Sequence, residues 1–385
     1  MSDFYFISSL VLILLLIYPF VIYPLILLVL SKFFSKSVEK SSFLFPEISV
    51  VIAAYNEEEM IEDCIRSIFN SDYPSEKISV LVGSDGSTDG TISILKKLQK
   101  EFPSVQYFKY PRSGKNKILN NLVGKVRTEL TYFLDADLRF DTKTISTVVS
   151  NFADKNVGAC FTPYKIMAST DKNMGSMGEK LYQSFEKFLR FKESQVWSNI
   201  NSIGACCFRT NLIMPIPNDK VCDDLYYILG VNKQKYRVVF DNSTFKYEIR
   251  EKDIRDEFHR RIRLIGGGLA TVKSMSSLLS PSAGWVAFFL WSHKMIRWAS
   301  PLFLILIFIL SMLMEKSIFR EILFLAQYFL YISAFSGYVF ELTKVRFNIF
   351  KIPLFYITMN ISFVYGIIRF LMQKQNAIWD RSGLA

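Results

Sequence analysis

No charged side chain occurs in residues 4–31, and this run constrains the chain more than any other feature of it. As a helix rising about 1.5 Å per residue, it is longer than the roughly 30 Å hydrocarbon core of a bilayer. The run is therefore read as a spanning helix, tilted or bent, in which Pro19 and Pro24 each remove a backbone donor. A cleaved signal peptide would need a basic start and a shorter apolar core, whereas this chain opens Met1-Ser2-Asp3. Three further charge-free runs follow at 298–314, 322–340 and 352–368, each long enough to cross, the shorter two only just. Lys32 and Lys36 follow the first run and only Asp3 precedes it, so the positive-inside rule sends it from outside to inside. Residues 38–280 are then expected in the cytoplasm.

The polar chemistry agrees with that placement. Cys64, Cys160, Cys206, Cys207 and Cys222 are odd in number and lack C-x-x-C spacing, which points away from disulfides and zinc. With His259 and His293 the only histidines, any metal must be held mainly by carboxylates, which selects magnesium or manganese. The net charge of +11 is assigned to anionic lipid head groups and nucleotide phosphates, not to nucleic acid.

Between the apolar ends, β-branched runs alternate with helical stretches, the pattern of α/β units around a mostly parallel sheet. Strands are predicted at 47–54, 78–83, 105–110 and 129–134, and helices at 56–70, 88–101 and 115–126. Such a doubly wound half-domain places its ligands at the carboxyl ends of the strands. Downstream, Ile254, Phe258, Ile262, Ile265, Leu269 and Val272 recur at spacings of three and four, with Arg255, Arg260, Arg261, Arg263 and Lys273 among them. This is a basic amphipathic helix suited to the membrane interface, which the following spans favour over an ordinary surface helix packed on the domain. Gly266, Gly267 and Gly268 are expected to break it. A second interfacial segment is expected at 285–298, where His293, Lys294 and Arg297 oppose burial in lipid. The chain thus divides into a first span (1–37), an α/β domain (38–250), interfacial helices (251–297), C-terminal spans (298–372) and a tail (373–385).

Leu134-Asp135-Ala136-Asp137 sets two carboxylates one residue apart where a hydrophobic strand ends. One can meet a divalent cation and the other a sugar or ribose, and such a cation neutralises charge growing on a departing diphosphate. A bare D-x-D also occurs as a solvated strand end. Its company is more specific: Ala53-Ala54-Tyr55-Asn56-Glu57-Glu58 follows the first strand and Gly83-Ser84-Asp85-Gly86-Ser87-Thr88-Asp89-Gly90 the second, while Ser113-Gly114-Lys115 precedes the third helix. In this order the motifs resemble the nucleotide-binding half of the family 2 glycosyltransferases, whose catalytic domain has the GT-A fold, and the flanking runs are similar to those of membrane-integrated members. The resemblance covers 46–268. It implies a donor side made of Ala53, Tyr55, Glu57, Asp85 and Lys115, with Asp135 and Asp137 at the metal. Taken singly, Asp85 also reads as a turn residue and Asn56 as an N-cap.

Ile203-Gly204-Ala205-Cys206-Cys207-Phe208-Arg209 and Cys222-Asp223-Asp224-Leu225 match the family's glycine-led acceptor segment and acidic pair. By resemblance, Gly204, Ala205, Cys206 and Asp223 line the acceptor site, and Asp224 is the base that deprotonates the acceptor hydroxyl. A carboxylate suits that role because the hydroxyl loses its proton only as the new bond forms, so position counts for more than strength. Acids also favour a helix start, and the two roles can coexist. Processive members carry Q-x-x-R-W before their C-terminal spans. Here Phe258-His259-Arg260-Arg261-Ile262 keeps only the arginine, Arg261, expected on the donor diphosphate. The sequence is accordingly read as an inverting, multi-pass glycosyltransferase of the inner or plasma membrane. Its expected donor is a nucleotide diphosphate sugar, uridine-linked by resemblance, and its acceptor a lipid-linked or glycan molecule in surface polysaccharide or glycolipid synthesis. A processive synthase and a non-catalytic membrane scaffold are the rivals, and the acids Asp85, Asp135, Asp137 and Asp224 speak against the scaffold.

The D-x-D predicts dependence on a divalent cation. Sugar transfer should vanish in chelator and return with magnesium or manganese, and an Asp137→Ala variant fully active in chelator would refute the metal role.

Overall fold

β-Branched runs set the frame. Ile48–Ala54 (β1) is buried along all but one residue, because it has a strand on each side and helices on both faces. Ile78–Asp85 (β2), Val105–Tyr110 (β3) and Leu130–Phe133 (β4) join it in parallel, in the order β3-β2-β1-β4. Five more strands follow through Leu138–Phe140 (β5), Val157–Phe161 (β6), Tyr164–Met167 (β7), Cys206–Arg209 (β8) and Arg237–Phe240 (β9), and the last is Lys246–Ile249 (β10). β8 runs antiparallel between β4 and β6, and β9 closes the seven-stranded sheet beside β6. β5, β10 and β7 make a second, three-stranded sheet. The computed structural model describes residues 2–167, 177–202, 204–217, 220–249, 254–343, 345 and 347–373, so the tail beyond 373 lies outside the described residues.

Register decides where the functional loops emerge. β1 pairs with β2 from Ile48↔Ile78 to Ala54↔Ser84, and with β4 from Ile48↔Leu130 to Val51↔Phe133, so the strands end at one rim. The helices Ile61–Phe69 and Thr91–Glu101 cover one face of the sheet through Ile61, Ile65, Ile68, Leu95 and Leu98. Lys115–Val123 and Asp223–Lys233 cover the other, in an apolar core that continues into Tyr23 and Leu27 of the first apolar helix.

Two helices start later than expected, at Ile61 instead of 56 and at Thr91 instead of 88. Asn56 has φ +54°, outside the helical region, and its side chain accepts a hydrogen bond from the Thr88 amide at 2.8 Å. The residues before both helices thus form a joined loop, and the N-cap reading of Asn56 does not hold. The helix Ile254–Ser274 runs through Gly266, Gly267 and Gly268 without the expected break. A Cβ on Gly267 would come within 2.9 Å of the Cys222 sulfur, and one on Gly268 within 2.9 Å of Trp298. Close packing offsets the roughly 1 kcal/mol per glycine that breaks exposed helices.

Three helices are long and apolar enough to cross a membrane, by length and composition: Asp3–Phe33, Ile318–Leu342 and Asn348–Leu371. The first has a π-helical turn at Tyr18–Ile22, next to Pro19 and Pro24. The expected span at 298–314 is a 14-residue helix, Ser300–Leu313, too short to cross alone. It forms a pair with Trp285–Trp298, bent by 54°. The polar groups of 285–298 do not face head groups as expected: His293 and Arg297 are buried against the helix Met177–Val196. His293 contacts Glu193 at 2.6 Å, Tyr23 donates to the same carboxylate at 2.7 Å, and Glu186 takes both Arg297 and, at 2.8 Å, Arg190. Carboxylates supplied from the α/β domain let these cations leave water.

Removing one partner of such a buried cluster exposes the rest to an uncompensated charge. Glu186→Gln should lower unfolding stability by about 3–5 kcal/mol, read as a fall in the thermal midpoint in detergent. An unchanged midpoint would show that the cluster does not clamp the helices to the domain.

Candidate active site

At the rim, Asp85 ends β2 almost fully buried. Its carboxylate accepts from the amides of Ser113 at 2.6 Å and Gly114 at 3.0 Å, and from the Arg112 guanidinium. Gly114 has φ +93° and Gly86 φ +72°, so both turns that let these groups meet need glycine. Arg112 also lies 3.5 Å from the ring centre of Tyr55, which follows β1. Glu57 is buried beside them, its amide donating to Thr91 at 2.8 Å. Ala53 sits within β1 just below this loop.

One strand over, Leu134 still pairs with Val51, and the chain then turns at Asp135. Lys115, first residue of its helix, bridges Asp135 and Asp223 at 2.8 Å each. Asp223 and Asp224 open the helix Asp223–Lys233, where its dipole favours acids. Gly204, at φ +59°, donates its amide to Asp224 at 3.3 Å. Lys115, Asp135, Gly204, Cys206, Asp223 and Asp224 line one recess, together with aromatic residues Phe133, Phe208 and Tyr227. Burial, then the neighbouring charge of Asp223, pushes the Asp224 carboxyl up to about 8. Burial alone would lower Lys115, but Asp135, Asp223 and Asp224 hold it well above the usual lysine range.

Some sequence-selected residues stand elsewhere. Ala205 is fully buried, and Arg261 does not line the recess: its guanidinium lies 5.4 Å and 4.9 Å from the ring centres of Tyr182 and Phe355. The sequence reading missed Arg112, whose only local signal is a basic residue just before Ser113-Gly114-Lys115. The five cysteines are buried and unpaired, and burial raises their thiols, so none is poised as a nucleophile.

Among the described residues no group of three or more histidine, cysteine or acidic side chains is arranged to hold a metal. A magnesium or manganese ion at a phosphate donor needs only one or two carboxylates, with phosphate oxygens completing its shell. The recess fits that chemistry: Asp135, Asp223 and Asp224 share it with the single cation Lys115, leaving negative charge for a metal to balance.

Residues 49–214 match the family described as Glycosyl transferase family 2. The beta-monoglucosyldiacylglycerol synthase of Synechocystis sp. is 24% identical over 155 residues, 40% of this chain and 32% of that protein. The GalNAc(5)-diNAcBac-PP-undecaprenol beta-1,3-glucosyltransferase of Campylobacter jejuni is 30% identical over 106 residues, 27% of this chain and 34% of that protein. The chain spans about a third of the length of these curated relatives. Among solved structures, the mannosyltransferase PcManGT from Pyrobaculum calidifontis, in complex with GDP-Man and Mn2+, has a TM-score of 0.71 at 20% identity, over 95% of this chain and 99% of that one. Its likeness takes in the apolar helices as well as the sheets. Residues 49–214 therefore form a glycosyltransferase family 2 domain, and the α/β domain has the GT-A fold.

Proposed function

We propose that the chain transfers a sugar, with inversion, from a nucleotide diphosphate sugar to a lipid-linked or glycan acceptor held at a membrane. The observation that carries this is Asp224, a carboxylate oriented by the Gly204 amide and opening into the same recess as Lys115 and Asp135. The relatives named for a diacylglycerol product and for an undecaprenol-linked substrate support a lipid-borne acceptor, and PcManGT, bound to GDP-Man and Mn2+, supports a nucleotide sugar with a cation. Three apolar helices and the basic Lys32 and Lys36 support a multi-pass protein of the inner or plasma membrane with its α/β domain in the cytoplasm.

In this reading Ala53, Tyr55, Glu57 and Asp85 take the nucleoside, and Lys115, Asp135 and Asp137 the diphosphate end. Gly204, Cys206 and Asp223 border the acceptor. The acceptor hydroxyl gives its proton to Asp224, and its oxygen attacks the anomeric carbon from the face opposite the nucleotide. The bond from that carbon to the diphosphate oxygen breaks, and the electron pair leaves with the nucleotide diphosphate. Bound magnesium or manganese would neutralise charge on the leaving group, to which Lys115 adds a fixed positive charge. Arg261, beside Tyr182 and Phe355, is given no role in this step.

Incubating the purified chain with UDP- and GDP-sugars and membrane lipids, followed by mass spectrometry of the product, tests the reaction class and names the donor. Asp224→Asn should cut transfer by a factor on the order of 10² to 10⁴ and spare donor binding, whereas Asp135→Asn and Asp137→Asn should weaken both. An Asp224→Asn variant that works at the parent rate would remove the base. The pH profile gives a second check. A carboxyl raised to about 8 is protonated, and useless as a base, below that pH. Turnover should therefore rise with pH toward that value, with the cation drawing the midpoint lower. Asp223→Asn removes a charge that raises Asp224 and should move the rising limb further down; a limb that stays in place would break the link between the two acids.

A further inference from the structure

Lys246 has no exposed surface. It lies in β10, opposite Phe140 of β5 and Tyr164 of β7. Its ammonium group donates to the carbonyl of Thr162 at 3.1 Å and to that of Ala205 at 3.0 Å. Thr162 directly follows β6 and Ala205 directly precedes β8, so one side chain ties two strands of the main sheet to the smaller one.

Taking an ammonium group out of water is costly, and two neutral carbonyls repay only part of that cost. A methionine would fill similar space without it. Fold stability therefore does not account for a lysine at this place. The surroundings do. Between the clamped Ala205 carbonyl and the acidic pair stands one residue, Gly204, whose amide donates to Asp224. Gly204 has φ +59°, and a Cβ there would come within 2.8 Å of the Leu138 side chain, so this place favours glycine. Burial pulls Lys246 down to about 8, while Asp224, Glu248 and Asp135 are among the charges that pull it back up, so their fields meet.

We propose that Lys246 is a positioning residue for sugar transfer: by holding the Ala205 carbonyl, it keeps the Gly204 amide aimed at Asp224. This rests on the base role given to Asp224 above. The mechanism itself needs no contact between Lys246 and substrate.

The test uses the full chain in detergent, comparing Lys246→Met and Lys246→Arg with the parent and with Asp224→Asn. UDP-glucose, UDP-N-acetylglucosamine and GDP-mannose with manganese are the donor probes, water standing in for the acceptor. Hydrogen exchange across 202–207 needs no ligand. Lys246→Met should exchange faster in that segment, keep donor affinity within about threefold of the parent, and release nucleotide diphosphate about tenfold or more slowly. Lys246→Arg, which keeps the charge and the donors, should recover part of the loss. An inactive Asp224→Asn beside a Lys246→Met that works at the parent rate, or that loses donor affinity in step with turnover, would overturn the proposal. So would unchanged exchange at 202–207, or failure of both Lys246 variants to fold. An Asp224→Asn at the parent rate sinks the base role instead, and leaves the exchange result to decide whether Lys246 holds the loop.

Discussion

The Lys115 ammonium between Asp135 and Asp223 is the interaction on which the site depends. It joins residues from three separate elements: the end of β4, the start of the helix Lys115–Val123 and the start of the helix Asp223–Lys233. Like charges about 4 Å apart repel by roughly 4 kcal/mol at an effective dielectric near 20. Three carboxylates in one recess therefore need a fixed cation to stay together. One lysine leaves the balance negative, which suits a site built to receive a metal with its phosphates. Burial, and then the same imbalance through Asp223, raises Asp224, so that one recess both invites a cation and sets up a carboxylate that readily takes a proton.

Much of this frame was legible because it is written in local pattern. Unbroken β-branched runs at β1 and β2 have no good alternative to buried strands, and a carboxylate at the end of such a strand can only face the rim. What failed was whatever depends on a partner far along the chain. Asn56 looks like a helix cap, but its side chain serves the loop at Thr88, and the backbone follows. Gly266, Gly267 and Gly268 look like a break, yet Gly267 packs closely on Cys222 and Gly268 on Trp298. His293 and Arg297 look like an interface, until Glu186 and Glu193 arrive from another helix.

The site divides in the same way. Asp135 could be selected from residue type and its place at a strand end, and Asp85, Lys115, Asp223 and Asp224 from the resemblance of their motifs to the family, since a single acid there also suits a turn or a helix start. Arg112 and Lys246 could not, since their work is to hold other groups. Arg112 holds Asp85 against Tyr55, and Lys246 holds two carbonyls out of solvent. Neither shows a spacing that separates it from an ordinary surface cation. Arg261 fails in the opposite sense: its place in the sequence pointed to the diphosphate, and its guanidinium lies instead between rings of the helices Met177–Val196 and Lys351–Leu371.

That position of Arg261 bears on how the two parts of the chain depend on each other. The helix Ile254–Ser274 touches the base helix at its first turn: Gly267 meets Val221 and Cys222, and the Cys222 thiol donates to the Leu264 carbonyl at 3.4 Å. Cys222 immediately precedes the acidic pair. On its other side the same helix is pressed against the last apolar helix, where a Cβ on Gly366 would come within 2.7 Å of Ile265. The apolar helices and the backbone that aims Asp223 and Asp224 are thus joined through one helix in close contact on both sides. Tyr23 and Leu27 of the first apolar helix belong to the same buried core as Leu225 and Ile228 of the base helix, so the dependence has a second route. A boundary at residue 250 consequently divides the sequence but not the packing, and the geometry of the acidic pair is a property of the α/β domain and its apolar helices together.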